Sequence, residues 1–332
     1  MQSSIMFVCK TWAMLAIVLF HYVRHLVPDS GRGSLVVMAG GIMAHVFFFI
    51  SGWGQFLSYE RWQQKKPGRG GTGLWFVGVI KKVYLPYIAV ICSIGLIGWL
   101  FPHVFPPQSR SAFFSHILGY KMFDAGLLTS FGDHFWFLSP LLSLYVLTPL
   151  FVLLIKNHPR TTLVGSCVIS LGYGVLLVVA DLFWWRHRQV AFPSFLWQYI
   201  LGMALAFRGW MPEHARTFVV SWRGAMLGTF LVCCYGGLSI WGGEMGRVMN
   251  DRCALPLVMM CCILCAQRER GKRVAVRGSG VSYYIFLIHG IWFMLWKGLM
   301  GGDVTILMIL GAFVSLLGVW CLMAWYQHRV LP

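Results

Sequence analysis

The feature that most constrains the fold is a series of long apolar segments that follow one another along nearly the whole chain. The first, Ile5 to His25, has about 20 mostly apolar residues, the length that a helix needs to cross a bilayer. These segments are continuously apolar and do not alternate, which argues against a transmembrane β-barrel. With 58% hydrophobic and 11% charged residues among 332, little sequence remains for a soluble domain. The sequence therefore predicts one all-α, polytopic membrane domain over residues 1–332.

We expect about ten transmembrane helices in this domain. The predicted spans cover residues 5–27, 35–58, 75–101, 135–155, 161–183, 193–209, 217–241, 253–267, 281–299 and 303–326. Pro86 is expected to kink the third span. In the long outer loop that follows it, residues 111–128 are expected to form an interfacial helix.

The charges of the connecting loops predict the orientation of these spans. Of the 27 Lys and Arg residues, 17 fall in loops after even-numbered spans or at the C-terminus, 9 fall after odd-numbered spans, and Lys10 lies within the first span. The ten acidic residues divide the other way, three against seven. Because basic loops stay on the cytoplasmic side, both termini are predicted to lie in the cytoplasm.

The same distribution narrows the function classes. A net charge of +17 would suggest nucleic-acid binding in a soluble protein, but here the basic residues lie in short membrane loops, so no nucleic-acid partner is expected. The basic, Gly-rich loop 59–74 is suited to anionic lipid headgroups or to an anionic cosubstrate. Most of the ten cysteines fall within apolar runs, where buried packing is expected rather than a disulfide framework or a metal site.

Two polar residues inside the first span point to chemistry. Lys10 and His21 are eleven residues apart, so in a helix they share one face at a separation of about 16 Å along the axis. A cation and a titratable base on one stripe of a membrane helix are costly and mark a pathway or a catalytic site. A snorkelling lysine and a hydrogen-bonded histidine are the alternative interpretation.

Four groups of residues, in chain order, resemble the signatures of the acyltransferase-3 family of integral-membrane acyltransferases. Each signature is weak alone, and the four together cover nearly the whole chain. The matching positions are Lys10 and His21 in the first span; Phe47, Phe48, Phe49, Ser51 and Gly52 in the second; His134, Trp136, Phe137, Tyr145 and Pro149 around the fourth; and Ser282, Tyr283, Leu287 and His289 in the ninth.

Several positions differ from the usual family pattern. The family usually has Arg where Lys10 stands and Asp where Phe7 stands, and many members carry two Glu where this chain has Leu141 and Leu142. In lacking these two Glu residues, the chain resembles the branch that contains the adhesin-modifying proteins and the enzymes that acetylate enterobacterial common antigen. The Arg-x-x-Arg signature of the third helix is replaced by Lys81 and Lys82 in a shifted register.

The resemblance implies transfer of an acyl group, most simply acetyl, from cytoplasmic acyl-CoA to a hydroxyl of an extracytoplasmic or lipid-linked glycan, such as an exopolysaccharide. His21 is then the general base or the acyl carrier. Lys10, Lys81 and Lys82 attract the CoA phosphates. No metal is expected, membrane lipids and glycan-assembly proteins are the expected partners, and a bacterial inner membrane is the implied location. The expected acceptor-side or supporting residues are His45, Ser51, His134, Trp136, Tyr145, Ser282 and His289.

Three other functions stay open from the sequence. The first is transfer of succinyl or another acyl group by the same scaffold, which only the mass of the product can distinguish from acetyl transfer. Polar groups inside a membrane also mark transport paths, so a transporter of an already acylated glycan or lipid is the second alternative. A purely structural membrane scaffold is the third, and in it Lys10 and His21 would be dispensable.

Overall fold

A computed structural model describes residues 4–26, 34–102, 108–182, 189–210, 212–265 and 269–299, together with 311 and 318. All regular structure in these ranges is helical, in agreement with the predicted all-α class. The α-helices are α1 Ser4–Leu26, α2 Ser34–Lys65, α3 Arg69–Val79, α4 Leu85–Leu100, α5 Arg110–Leu118, α6 Leu138–Asn157, α7 Pro159–Val179, α8 Leu196–Phe207, α9 Arg216–Val219, α10 Trp222–Trp241, α11 Gly243–Cys265 and α12 Glu269–Leu299.

The described helices include four that are long and apolar enough to cross a membrane: Ile5–Val23, Arg69–Leu100, His134–Asn157 and Pro159–Val179. Two shorter apolar helices, Phe192–Phe207 and Val281–Trp296, also lie in predicted spans. Each of the first nine predicted spans contains helix, whereas the tenth, 303–326, lies almost wholly outside the described residues. The chain is therefore a helical membrane protein, and the number of ten spans stays a prediction.

Helices α1 and α2 form the centre of the bundle. Helix α1 packs along α2 and α12, and α2 packs along α8. The α2–α8 crossing is close because both helices have a glycine there: a Cβ on Gly52 would collide with the Tyr199 carbonyl, and one on Gly202 with the Phe49 carbonyl. Small residues at such crossings let membrane helices pack by direct backbone contact.

The third predicted span is not a continuous α-helix. A π-helical turn, Ile80–Tyr84, separates α3 from α4. Pro86 follows that turn, has no N–H to donate to the carbonyl of Lys82, and its ring crowds that carbonyl. The irregularity predicted near Pro86 is thus present as a π-bulge, a form of local widening that is frequent at functional sites.

The segment between α4 and α6 is not the single interfacial helix that was predicted over residues 111–128. It contains the short helix α5 followed by two 3-10 turns. Helix α5 is capped by the Ser109 hydroxyl, which accepts from the Ala112 N–H at 3.1 Å. It ends at Gly119, whose φ of +73° is the left-handed conformation that stops a helix. A 3-10 turn, Lys121–Phe123, and a second, Asp133–Phe137, then lead into α6.

The expectation of buried cysteines holds only in part. Cys9 and Cys262 are buried, whereas four other described cysteines lie on outer helix surfaces: Cys92, Cys167, Cys233 and Cys261. A thiol is apolar enough to face lipid as well as a protein core, so an apolar run alone does not predict its burial.

Candidate active site

Three histidines from three separate elements meet in the interior of the bundle. The ring centroid of His21 on α1 lies 5.0 Å from that of His289 on α12 and 5.9 Å from that of His134. His134 belongs to the 3-10 turn before α6, and its ring lies 5.0 Å from His289. The exposed fraction is 3% for His21, 1% for His134 and 0% for His289, so this histidine cluster is almost fully enclosed.

The position of His134 is fixed by its hydrogen bond and by two glycines. Its Nε2 lies 3.3 Å from the carbonyl oxygen of Leu287 on α12. Because a carbonyl can only accept, Nε2 carries the proton and Nδ1 is the proton-accepting atom of the neutral ring. A Cβ on Gly290 would collide with this ring, and one on Gly132 would come within 2.9 Å of it. Glycines at both positions therefore make the space that the imidazole occupies.

The proton of His289 is placed by the same argument. Its Nδ1 lies 3.0 Å from the Ile285 carbonyl and 2.9 Å from that of Phe286, one turn earlier in α12. In the neutral ring Nδ1 is therefore the donor and Nε2 the acceptor. The cluster thus offers two imidazoles of assigned tautomer beside His21. That arrangement suits transfer of a proton within an enclosed site.

A second polar group links α2, α3 and α6. The buried hydroxyl of Tyr145 on α6 hydrogen-bonds to Ser51 and Gln55 of α2. The Trp75 indole N–H of α3 donates to the Gln55 amide oxygen at 3.1 Å. Ser51 and Tyr145, predicted separately as site residues, are therefore in direct contact.

The predicted cations lie at two places. Lys10 is partly buried on α1, eleven residues before His21, whereas Lys81 and Lys82 are exposed on the π-helical turn. The Tyr283 hydroxyl of α12 donates to the Val83 carbonyl in that turn at 2.7 Å. This bond ties the lysine-bearing turn to the helix that carries His289, six residues or about 9 Å further along the axis. Ser282 is buried in the same helix.

An aromatic wall adjoins the 3-10 turn of His134. Phe195 stacks on Phe48 at 4.2 Å between centroids, and Trp136 lies 5.8 Å from Phe195. His45 lies 5.1 Å from Phe195, and its Nδ1 accepts from the Gln198 amide at 2.7 Å. His45 and Trp136 therefore belong to this wall, with one polar pair at its edge.

The relation of the chain to known proteins is decided by one comparison. A family model described as an acyltransferase domain, that of the acyltransferase-3 proteins, matches residues 8–325. The chain belongs to the acyltransferase-3 family. No curated protein and no solved structure matches it significantly. Since the family consists of membrane-embedded acyltransferases, the helical bundle is a membrane acyltransferase.

The candidate site contains residues that the sequence did not single out. Gln55 follows Ser51 by one turn, and Gln198 faces His45; a polar amide within an apolar span is the signal that could have found both. Gly290 follows His289 directly, but only the fold reveals the ring that packs on it. Among the described residues, no three His, Cys, Asp or Glu side chains are arranged to hold a metal ion. A metal-free mechanism stays a prediction.

Proposed function

We propose that this acyltransferase is an O-acetyltransferase that moves acetyl from cytoplasmic acetyl-CoA to a hydroxyl of an extracytoplasmic or lipid-linked glycan, such as an exopolysaccharide precursor. The observation that carries the proposal is the enclosed cluster of His21, His134 and His289. Lys10 lies on the same helix as His21, about 16 Å toward the predicted cytoplasmic side. A site with cations at one end and bases at the other suits a long anionic donor and a neutral hydroxyl acceptor.

The chemical step uses His21 as general base. An unprotonated nitrogen of His21 takes the proton of the acceptor hydroxyl while the hydroxyl oxygen attacks the thioester carbonyl. The C–O ester bond forms, the C–S bond breaks, and the CoA thiolate recovers the proton from His21. His134 and His289 stand within 6 Å of the His21 ring, where either accepting nitrogen can stabilise the protonated base.

The donor would enter from the cytoplasmic side. Lys81 and Lys82 are exposed on the π-helical turn to which Tyr283 of α12 is hydrogen-bonded. Their ammonium groups are point charges that suit the phosphates of CoA. Lys10 lies deeper, as the family's arginine would. Tyr145, with Ser51 and Gln55, offers further hydroxyl and amide groups inside the bundle.

The acceptor would bind on the outer side, against the aromatic wall. Trp136 and Phe195 offer flat apolar faces, and Gln198 with His45 offers hydrogen-bonding groups at the edge. Saccharides combine apolar ring faces with hydroxyl rims, so this composition favours a sugar over a fatty alcohol. Buried Leu141 occupies one of the two positions where many family members carry Glu, in keeping with the branch that modifies surface glycans.

We further propose ten spans in a bacterial inner membrane with both termini in the cytoplasm. The ion pair between Glu60 at the end of α2 and Lys156 at the end of α6, 2.8 Å long, supports this topology. It joins two loops that the charge distribution predicts on the same, cytoplasmic side. Membrane lipids and glycan-assembly proteins are the proposed surroundings.

The test supplies radiolabelled acetyl-CoA to membranes containing the full chain and measures alkali-labile acetyl in the glycan fraction. Label transfer is expected. Lys10→Ala is expected to raise the KM for acetyl-CoA about tenfold, the cost of one charge-assisted contact. Lys156→Ala, the matched lysine control, should leave this KM unchanged. Transfer from succinyl-CoA alone would refute the acetyl assignment, and movement of pre-acylated glycan without any transfer would establish the transporter instead.

A further inference from the structure

We propose that Lys121 is a positioning residue. Its buried ammonium, together with His116, holds the backbone of residues 130–132 in the conformation that sets His134 within the histidine cluster. This inference deepens the proposed function and rests on it for its kinetic readout. We refer to residues 110–132, which comprise α5 and the turns that follow it, as the outer clamp.

Lys121 is fully buried, which is unusual for lysine. Its Nζ donates to the Ser130 carbonyl at 2.7 Å and to the Gly132 carbonyl at 3.2 Å. The ammonium also lies 5.9 Å from the centroid of the Phe135 ring, within cation–π range. Burying an ammonium is costly unless it is hydrogen-bonded, so these contacts fix it to the chain on both sides of Phe131.

His116, also fully buried, reinforces the same backbone. Its Nε2 lies 3.2 Å from the Ser130 carbonyl and 3.1 Å from the Ser130 hydroxyl. Since the carbonyl only accepts, Nε2 carries the proton, and Nδ1 accepts from the Tyr87 hydroxyl at 2.5 Å. Tyr87 belongs to α4, so this chain of hydrogen bonds anchors residue 130 to a membrane helix.

The residues held in this way have unusual backbone geometry. Phe131 has a φ of +55°, a conformation that costs a bulky residue on the order of 1–3 kcal/mol unless its surroundings impose it. Gly132 has a φ of +124°, and its Cα faces the His134 ring. Lys121 bonds to the carbonyls that flank Phe131, and His116 bonds to one of them. Lys121 and His116 therefore stabilise the bend at residues 130–132, from which the 3-10 turn that carries His134 begins.

Loss of the ammonium would remove one donor from each of the two carbonyls, leaving Ser130 to His116 and Gly132 to the Phe135 N–H. The backbone is then expected to relax away from positive φ, and His134 to move from Leu287 and from the other two rings. A displacement of about 1 Å in a catalytic assembly costs on the order of 10²-fold in rate. The lysine-bearing turn meets the outer clamp at Tyr84, whose hydroxyl donates to the Ile117 carbonyl at 2.6 Å. Because Ile117 belongs to α5 and not to the bend at residues 130–132, the affinity for the donor should be retained.

The experiment uses the full chain in lipid nanodiscs and compares wild type with Lys121→Met, which keeps the length of the side chain. Diethyl pyrocarbonate labelling, read for each histidine by mass spectrometry, reports the exposure of His134. We expect its labelling rate to rise several-fold while that of His45 stays constant. The acetyl-transfer rate into the membrane glycan fraction should fall about 10- to 100-fold, with the KM for acetyl-CoA unchanged within about twofold.

Two further variants distinguish the loss of positioning from a general loosening of the protein. Tyr87→Phe removes only the hydroxyl that anchors His116, and should change His134 labelling and rate in the same direction by a smaller factor. Lys156→Met, the lysine control at the opposite end of α6, should change neither. The proposal is overturned if Lys121→Met leaves His134 labelling as in wild type, or if His134 and His45 gain labelling equally, since that would show general loosening. If wild type transfers no acetyl at all, the proposed function fails, while the labelling still decides the role of Lys121.

Discussion

At the scale of single residues, the site depends on side chains whose neighbours leave them little freedom. His134 and His289 each direct one nitrogen to a backbone carbonyl of α12, at 3.3 Å and at 2.9–3.0 Å. These bonds fix the tautomers, and therefore which nitrogen can take a proton. The glycines beside His134 are as much a part of this arrangement as the hydrogen bonds.

Gly290→Ala should impair catalysis without destabilising the helix. Alanine is favoured over glycine in a helix by about 1 kcal/mol, but its Cβ would collide with the His134 ring. We expect acyl transfer to fall at least about tenfold, because misplacement of catalytic groups is costly. Membrane abundance and melting temperature should be maintained.

The matched control is Gly165→Ala in α7, where an added Cβ meets nothing within 4 Å. It should leave transfer unchanged and should raise, or leave equal, the melting temperature. Wild-type transfer by Gly290→Ala would show that His134 does not have to occupy its present place.

At the scale of the elements, the sequence predicted where helices form but not how each one ends or bends. Continuous apolar runs lead to helix because backbone polar groups in lipid need internal partners. Pro86 indicated the irregularity in the third span. The clamp was predicted only as an interfacial helix over 111–128, and Gly119 ends it at Leu118.

The residues of the candidate site were predictable to the extent that they interrupt apolar spans or match family signatures. His21, His134 and His289 were singled out, and the fold brings them together. Lys121 was only one of nine cations in predicted outer loops, and no spacing relates it to His134. Its burial comes from packing of its turn against α6 and from its bonds to residues 130 and 132, which no local sequence pattern encodes.

The clamp should be sensitive to acid. Burial, with the Lys121 charge beside it, lowers the pKa of His116 from 6.5 to about 3. Between these two pKa values, His116 therefore binds a proton in the unfolded clamp but not in the folded clamp. The stability that neutral His116 contributes is complete above pH 6.5 and is lost progressively as the pH falls toward 3. Hydrogen-exchange protection of residues 110–132, corrected for intrinsic exchange, should decrease between pH 7.5 and pH 5.

Two controls accompany this measurement. Protection of α6 should change less over the same range, and His116→Gln, which cannot titrate, should remove the pH dependence of the clamp. An equal loss in α6, or an unaltered pH dependence in His116→Gln, would contradict the account.

At the scale of the whole molecule, the bundle separates two chemical environments along one set of helices. Lys10, Lys81 and Lys82 lie toward the predicted cytoplasmic side, and the histidine cluster lies about 16 Å along α1 from Lys10. The helices around the cluster exclude water, which strengthens every charge interaction during the reaction. In the proposed reaction, His21 uses this enclosed setting to activate an acceptor hydroxyl.

The most direct test compares His21→Ala and His21→Gln with wild type in a strain lacking any native copy, scoring glycan acylation against membrane abundance. His158→Gln, an exposed histidine between α6 and α7, is the control and should transfer normally. If His21 is the base, both His21 variants keep near-normal abundance and lose on the order of 10²–10⁴-fold in rate. If His21→Gln keeps more than about a tenth of the wild-type rate, far above the residue left by a missing base, His21 serves packing and the catalytic account is wrong.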